Sequence, residues 1–207
     1  LRCQGEDGNS TRTTRGFEVY NMADHGKSSA WFTTYGLDGL ENMTETDVVL
    51  LDNSVNDGHH IAASDTVLQQ YTESLVRTVL SKERGPALVV LATFTGNFHQ
   101  YRDGWMKAPS TPYSKLPCAD TSAQESYFPI TSYYGVPLIS YRDVAMRGGG
   151  CRIELGGQFS HPRWRVHQLI ADVVAYFFSS QTKDALARGT ETGLSLDQSL
   201  PPTKYST

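Results

Sequence analysis

The stretch Asp47–His60, with the sequence DVVLLDNSVNDGHH, constrains the fold of this chain more than any other. It begins with a continuous apolar run, Val48–Leu51, and reaches the polar triplet Asn56-Asp57-Gly58, through which a strand cannot continue. An uninterrupted apolar strand is typical of a parallel sheet that is covered on both faces. In such sheets, binding and catalytic groups gather at the carboxyl ends of the strands. The sequence therefore predicts a buried strand whose polar end is a candidate functional edge.

Further strands and helices alternate along the chain. The predicted strands are residues 16–20, 46–51, 87–94 and 136–141. Four helices are predicted. The first begins near Ser28, and the other three cover residues 61–82, 122–134 and 162–183. Strands that alternate with helices form parallel, right-handed β-α-β units. The predicted fold is therefore α/β, a three-layer αβα sandwich with a parallel, flavodoxin-like sheet.

Local signals set the expected boundaries. Serines after Gly26 suit the amino-terminal cap of the first helix, Pro129 should break or kink the helix over residues 122–134, and Gly135 should end it. The segment 1–15 is a polar lead-in without periodicity, residues 16–183 form one domain, and residues 184–207 are predicted to be a disordered tail.

Composition argues against several classes of function. The chain has 207 residues and a net charge of -4, and its lysines and arginines form no basic stripe, so we expect no nucleic-acid partner. No apolar run approaches the roughly 20 residues of a membrane span. The histidines at positions 25, 59, 60 and 99 lack the spacing of metal ligands beside carboxylates, so no metal site is predicted, and no cofactor either.

The cysteines, the glycosylation sequons and the start of the sequence bear on the cellular compartment and on processing. Cys3, Cys118 and Cys151 cannot all pair within one chain, although Cys118 and Cys151 would be able to form a bridge in an oxidising compartment. Two glycosylation sequons, at Asn9 and Asn42, favour a secretory route. The chain starts at Leu1 with no signal-like segment, which indicates a processed chain or a fragment.

Three polar positions should meet at the carboxyl edge of the predicted sheet. A glycine turn at Gly26 and the side-chain amide of Asn56 are suitable donors for the negative oxygen of a tetrahedral acyl-transfer intermediate. His161, followed by Pro162 at the start of the last helix, suits a general base. Each motif alone also has a structural explanation as a turn or a helix cap, and only their joint arrangement favours catalysis.

The order of these motifs resembles the SGNH hydrolases, also called GDSL esterases and lipases. The matching segments are Asn21–Gly26, Val48–Asp57 and Ser160-His161-Pro162. Residues 133–140 also resemble the segment that leads into a strand in members of this family. The resemblance covers about residues 16–178. It implies ester hydrolysis through a serine acyl-enzyme, with a small-molecule ester or an acylated carbohydrate as substrate. His161 would be the base, and Gly26 and Asn56 would complete the oxyanion hole.

The sequence departs from the pattern of this family at two positions. The nucleophile is expected in a Gly-Asp-Ser motif after a first strand, and only Gly8-Asn9-Ser10 is superficially similar. It follows a polar stretch and leaves no room for the intervening helix, so Ser10 is a poor candidate. The acid expected three residues before His161 is replaced by Gln158, with Glu154 and Asp143 as substitutes. A glutamine can fix the histidine tautomer but cannot stabilise the imidazolium by charge.

The absent nucleophile motif has a structural consequence. In this family the first strand lies in the middle of the sheet. Its loss would remove ladder partners and buried apolar contacts from both neighbouring strands, at a cost expected to exceed the roughly 5 to 15 kcal/mol by which domains are stable. We therefore expect an amino-terminally incomplete copy of the domain. The alternative is a catalytically inactive domain that binds carbohydrate or acyl groups through the aromatic-rich loop at residues 95–121. The sequence predicts neither the substrate nor the oligomeric state.

Overall fold

The described part of the chain is built around a three-stranded parallel sheet. The computed structural model describes residues 19–24, 26–36, 46–60, 65–82, 85–93, 123–141, 143–144, 164–187 and 200–205. Within these residues the strands are β1 (Val48–Leu51), β2 (Ala87–Ala92) and β3 (Leu138–Ser140), in the order β1-β2-β3. Both pairs of neighbours are parallel. The predicted parallel sheet is therefore confirmed.

Among the described residues, five helical segments lie around the sheet. They are α1 (Ser29–Trp31, continued by a π-helical turn over Phe32–Gly36), α2 (Ser54–His60), α3 (Asp65–Leu80), α4 (Gln124–Tyr134) and α5 (Trp164–Ala187). Helices α3 and α4 pack against each other and share one apolar cluster with the sheet. Helix α5 contributes to a second cluster on the sheet.

Alternation along β2 explains the three layers. Leu88 and Val90 lie in the core cluster that includes residues of α3 and α4, whereas Val89 and Leu91 pack against α5. Successive side chains of a strand point to opposite faces, so an unbroken apolar strand supplies both cores at once. The α/β sandwich predicted from the apolar runs is thus the observed architecture.

The predicted helix boundaries are largely confirmed. The Ser28 hydroxyl oxygen accepts a hydrogen bond from the Trp31 N–H at 3.4 Å and caps α1. Gly135 ends α4 in the left-handed region, with φ of +65°, a conformation that favours glycine. Helix α4 continues through Pro129, so the proline does not break it.

Another local prediction was wrong. The triplet Asn56-Asp57-Gly58, expected to form a turn after the strand at residues 46–51, is part of helix α2. The Asp57 N–H donates to the Asn53 carbonyl at 2.8 Å, which closes the first helical turn. Asn53 is a favoured residue type immediately before a helix, and an aspartate in the first turn interacts well with the helix dipole. These helix-start signals dominated the turn signal of the asparagine and glycine.

Two terminal regions also differ from expectation. In the predicted strand over residues 16–20, the two described residues, Val19 and Tyr20, belong to no strand and are exposed. Helix α5 extends to Ala187, beyond the predicted domain end at residue 183. Residues 200–205, within the predicted disordered tail, hydrogen-bond to the helix layer. Local polarity did not predict this docking because the partners are distant in sequence.

Two kinds of site are absent from the described residues. None of their helices combines the length and apolar character needed to cross a bilayer. No group of three or more potential ligands among them is arranged to hold a metal ion.

Candidate functional site

The loop at Gly26 and helix α2 meet directly after β1. The Asn56 side-chain amide nitrogen donates to the Lys27 carbonyl at 2.9 Å, and that of Asn53 approaches the same oxygen at 3.5 Å. Gly26 has φ of +67°, so any other residue would strain the turn. The structure therefore brings together two of the predicted site residues, Gly26 and Asn56, through the residue that follows the glycine.

Asp57 holds this arrangement in place from the protein interior. Its side chain is fully buried, with 0% exposure. One carboxylate oxygen accepts the Ser29 N–H at 2.6 Å, and the other accepts a hydrogen bond from the Tyr127 hydroxyl. A single carboxylate thus joins the start of α1, helix α2 and helix α4. Because Asn56 and Asp57 are adjacent, this anchor also holds Asn56 close to the Gly26 loop.

The electrostatics of the Asp57 anchor are unusual for a surface-facing edge. Burial raises the pKa of Asp57 to about 6 from its ordinary value of 3.8, although hydrogen bonds from Tyr127 and Ser29 oppose the rise. Burial, followed by the charge of Asp57, raises the pKa of Tyr127 well above its usual range. Tyr127 therefore acts as a hydrogen-bond donor. The Asp57 carboxylate is mostly ionised at neutral pH, in an environment that disfavours its charge.

A second polar cluster ties the ends of β1 and β2. The Ser54 and Thr93 hydroxyls each donate to one Asp52 carboxylate oxygen at 3.0 Å. The Thr93 N–H donates to the Ser54 hydroxyl oxygen at 2.7 Å. Ser54 has no exposed surface. Its hydroxyl is therefore a structural group that holds the strand ends, and it is inaccessible to a substrate.

The other predicted site residues fall largely outside this geometry. His161, Gln158, Glu154 and Ser10, and the aromatic-rich loop at 95–121, lie outside the described residues. Asp143 is described after β3, where its carboxylate accepts a hydrogen bond from the Gln124 amide at 3.1 Å and its N–H donates to the Ser140 hydroxyl at 2.9 Å. The roles of all these residues remain predictions.

Sequence reasoning identified Asn56 but not the groups that hold it. Tyr127 and Ser29 contribute to the anchor across 70 and 28 residues of sequence. A signal for Tyr127 does exist, because it lies three and four residues before Ile130 and Thr131, on the buried face of α4. That spacing predicts burial, but it does not predict which partner the hydroxyl meets.

Comparisons with known proteins give structural neighbours only. A scan against protein-family models finds no match, and no curated protein matches the chain. Two solved structures of a two-domain esterase active on acetylated mannans are similar. The structure co-crystallized with mannopentaose has a TM-score of 0.51 and 23% identity, over 75% of this chain and 36% of that one. The other has a TM-score of 0.57 and 22% identity, over 87% of this chain and 41% of that one.

This similarity defines the class of fold. At 22–23% identity it shows that the described α/β architecture is one that an esterase also has. The chain spans about two fifths of the length of those neighbours.

Proposed function

We propose that this chain is an amino-terminally incomplete copy of an ester hydrolase of the SGNH type, whose complete form acts on a small-molecule ester or an acylated carbohydrate. The observation that carries the proposal is the 2.9 Å hydrogen bond from the Asn56 amide to the carbonyl of Lys27, the residue after Gly26. It holds the Asn56 side chain against the Gly26 loop directly after β1, and this supports the proposed pairing of the two donors at an edge where α/β enzymes carry their sites. The acetylated-mannan esterase neighbours support the same class of reaction.

The proposed reaction is acyl transfer to a serine and then to water. His161 removes the proton from the serine hydroxyl as the serine attacks the ester carbonyl, and returns it to the leaving alcohol. The Gly26 N–H and the Asn56 amide stabilise the negative oxygen of the tetrahedral intermediate. Gln158 accepts the other ring N–H of His161 and fixes its tautomer. Since Gln158 carries no charge, Glu154 or Asp143 is the proposed alternative partner.

The nucleophile is proposed to lie in a segment that precedes this sequence. Strand β1 is an edge of the described sheet, and Val48 and Leu50 are 43% and 44% exposed while Val49 between them is buried. Helices cover both faces of the sheet elsewhere, so exposed apolar side chains on its edge strand are unusual. An additional parallel strand and its helix would cover them and bring a serine to the carboxyl end of β1.

The upstream reading frame tests the incomplete-copy proposal directly. We expect an in-frame apolar strand ending in Gly-x-Ser. The sequence as given should neither hydrolyse esters through a serine nor be labelled by a fluorophosphonate probe. Labelling of this sequence alone would contradict the proposal, as would an upstream frame without such a strand.

Matched variants of the extended protein test the site itself, with a short-chain nitrophenyl ester as substrate. Asn56→Asp should lower kcat about 10²–10³-fold, because it removes an oxyanion donor. Asn53→Asp, which removes an amide near the same Lys27 carbonyl, should change kcat only about twofold if only Asn56 contacts the oxyanion. His161→Ala should abolish turnover, and His167→Ala on the exposed side of α5 should not. Equal effects of the two asparagine variants would contradict the assignment.

A second function is favoured by the serines near Asn56. Ser28, Ser29 and Ser54, the described serines in this region, are 7%, 2% and 0% exposed, so none is available to attack a substrate. If no upstream nucleophile exists, we propose a domain that binds carbohydrate or acyl groups without turning them over. Calorimetry with an acetylated manno-oligosaccharide would then show saturable binding, while the ester assay stays at background.

A further inference from the structure

A short segment far along the chain is held by helix α3. Glu73 in α3 is fully buried, at 0% exposure. One of its carboxylate oxygens accepts the Lys204 N–H at 2.6 Å, and the other accepts the Tyr205 N–H at 2.7 Å. Hydrogen bonds to an ionised acceptor are among the stronger ones in proteins. Two successive main-chain N–H groups on the two oxygens of one carboxylate fix both the position and the direction of the bound peptide.

The carboxylate is one part of a larger groove. The Tyr134 hydroxyl donates to Glu73 at 2.7 Å and accepts a hydrogen bond from Arg77 at 2.9 Å. Arg77 lies one helical turn after Glu73 and also donates to the Pro201 carbonyl at 2.5 Å. We call the surface formed by Glu73, Arg77, Tyr133 and Tyr134 the α3–α4 groove. Its polar groups contact both ends of the segment.

The proline content of the segment suits this groove. Pro201 and Pro202 have no N–H to satisfy, and their carbonyls accept hydrogen bonds from Arg77 and from the Tyr133 hydroxyl, the latter at 3.1 Å. Consecutive prolines favour an extended polyproline conformation, which is restricted before it binds. Docking of such segments on aromatic surfaces is a recurring mode of peptide recognition.

Side chains add selectivity to these main-chain contacts. The Lys204 ammonium group lies over the rings of Tyr133 and Tyr205, at 5.2 and 5.1 Å from their centroids. Tyr205 is half-buried and packs against the core cluster shared by α3 and α4. The bound sequence therefore combines two prolines, a cation and an aromatic anchor in a fixed order.

We propose that the α3–α4 groove is a peptide-binding site for an extended Pro-Pro-x-Lys-Tyr segment, with residues 200–205 of this chain as its ligand. Glu73 recognises the two consecutive N–H groups, and Arg77 with Tyr133 recognises the two preceding carbonyls. The site uses none of the residues assigned to ester hydrolysis. It is therefore independent of the proposed function, and the binding site would exist in an inactive protein too.

Displacing the internal ligand makes the site measurable in the whole chain. Lys204→Pro removes the first N–H donor, whereas Lys204→Ala keeps that N–H and removes the side chain beyond Cβ together with its ammonium group. A fluorescent synthetic peptide of residues 200–205 with blocked ends is then titrated into each protein. We expect saturable binding to Lys204→Pro, and weaker apparent binding to Lys204→Ala, whose own segment still competes.

Two controls assign the binding to Glu73. In a Glu73→Gln, Lys204→Pro double variant, affinity for the peptide should fall about tenfold, because an uncharged amide replaces a charge-assisted acceptor. A peptide N-methylated at Lys204 and Tyr205 should lose binding to a similar extent. Equal binding of the methylated and unmodified peptides, or no binding to a folded Lys204→Pro protein, would overturn the proposal.

Proteolysis of the wild-type sequence provides a second measurement. Trypsin cleaves after Lys204, and the N–H of that peptide bond belongs to Tyr205, which Glu73 holds. We expect cleavage after Lys204 to be about tenfold faster in Glu73→Gln than in wild type, relative to cleavage after Lys183 in α5. Unchanged relative cleavage would show that Glu73 does not hold the segment.

Discussion

Asp57 and Glu73 are both fully buried carboxylates that join distant parts of the chain, but they differ in what surrounds their partners. Asp57 accepts hydrogen bonds from Ser29 and Tyr127, which belong to packed helices. Glu73 accepts main-chain N–H groups from a segment whose Lys204 is exposed. The donors to Asp57 have no other partner in the interior. Glu73 also accepts a hydrogen bond from Tyr134 in α4, but the N–H groups of Lys204 and Tyr205 can bind water instead. Loss of the first should affect the whole fold, and loss of the second mainly a local contact.

The largest expected effect is the pH dependence due to Asp57. Its pKa is about 6 in the folded protein and 3.8 in an ordinary environment, so the folded state binds more protons between these values. Proton binding by Asp57 therefore stabilises the folded state. This contribution to the free energy of unfolding is fully present below about pH 4 and is lost as pH rises through 6. This change amounts to about 3 kcal/mol. Urea unfolding of wild type and Asp57→Asn from pH 4 to 8 should give free-energy curves that diverge by that amount. Parallel curves would contradict the buried, charge-disfavouring environment.

Removal of the Tyr127 hydroxyl should have the next largest effect. Tyr127→Phe leaves one oxygen of the Asp57 carboxylate without its donor, which should lower the free energy of unfolding by about 2 kcal/mol at pH 8. It should also raise the pKa of Asp57 further, because the hydrogen bond from Tyr127 lowers it. The matched control is Tyr133→Phe in the same helix, whose hydroxyl is exposed and donates to Pro202. Similar losses in both variants would remove the distinction between interior and surface partners.

Glu73→Gln should lower the free energy of unfolding less than Tyr127→Phe does, and its main effect should be local. We expect a loss of about 1 kcal/mol in the free energy of unfolding, because the released N–H groups of Lys204 and Tyr205 can bind water. Hydrogen exchange measured by NMR should speed up at these two amides while the core amides of β2 stay protected. If the core amides lose protection to the same degree, Glu73 is as integral to the fold as Asp57.

The smallest effect is expected on the open side of β1, which provides a baseline for both carboxylates. Leu50 is 44% exposed, so Leu50→Thr removes little buried surface and keeps a residue that favours strands. The free energy of unfolding should change by less than about 0.5 kcal/mol in the chain as given. In a protein extended by the proposed upstream strand, the same change should cost more. Equal small effects in both proteins would argue against coverage of β1 by that strand.

Much of the fold could be predicted from local patterns. The apolar runs at Val48–Leu51 and Ala87–Ala92 identified two strands, and the spacing of apolar residues identified α3 between them. Such patterns report burial on one or both faces, which is a property of each segment by itself. The helix at Ser54–His60 was missed because turn and helix-start signals overlap there.

The candidate site was predictable only in part. Gly26 and Asn56 were identified by residue type and position, and the structure brings their segments together. Asp57 was recognised as part of the polar end, but its partners Ser29 and Tyr127 were not. Hydrogen bonds across 28 and 70 residues depend on how α1 and α4 pack, and no local spacing encodes that.

The sequence by itself determined the alternation of strands and helices, the parallel sheet, and the candidate residues Gly26 and Asn56 at its edge. Burial periodicity and residue chemistry are local properties, so they can be read from each segment alone. Only the tertiary structure decided where the buried carboxylates find their donors. Asp57 meets α1 and α4, and Glu73 meets residues 200–205, since a buried charge is tolerated only where packing brings donors from elsewhere in the chain.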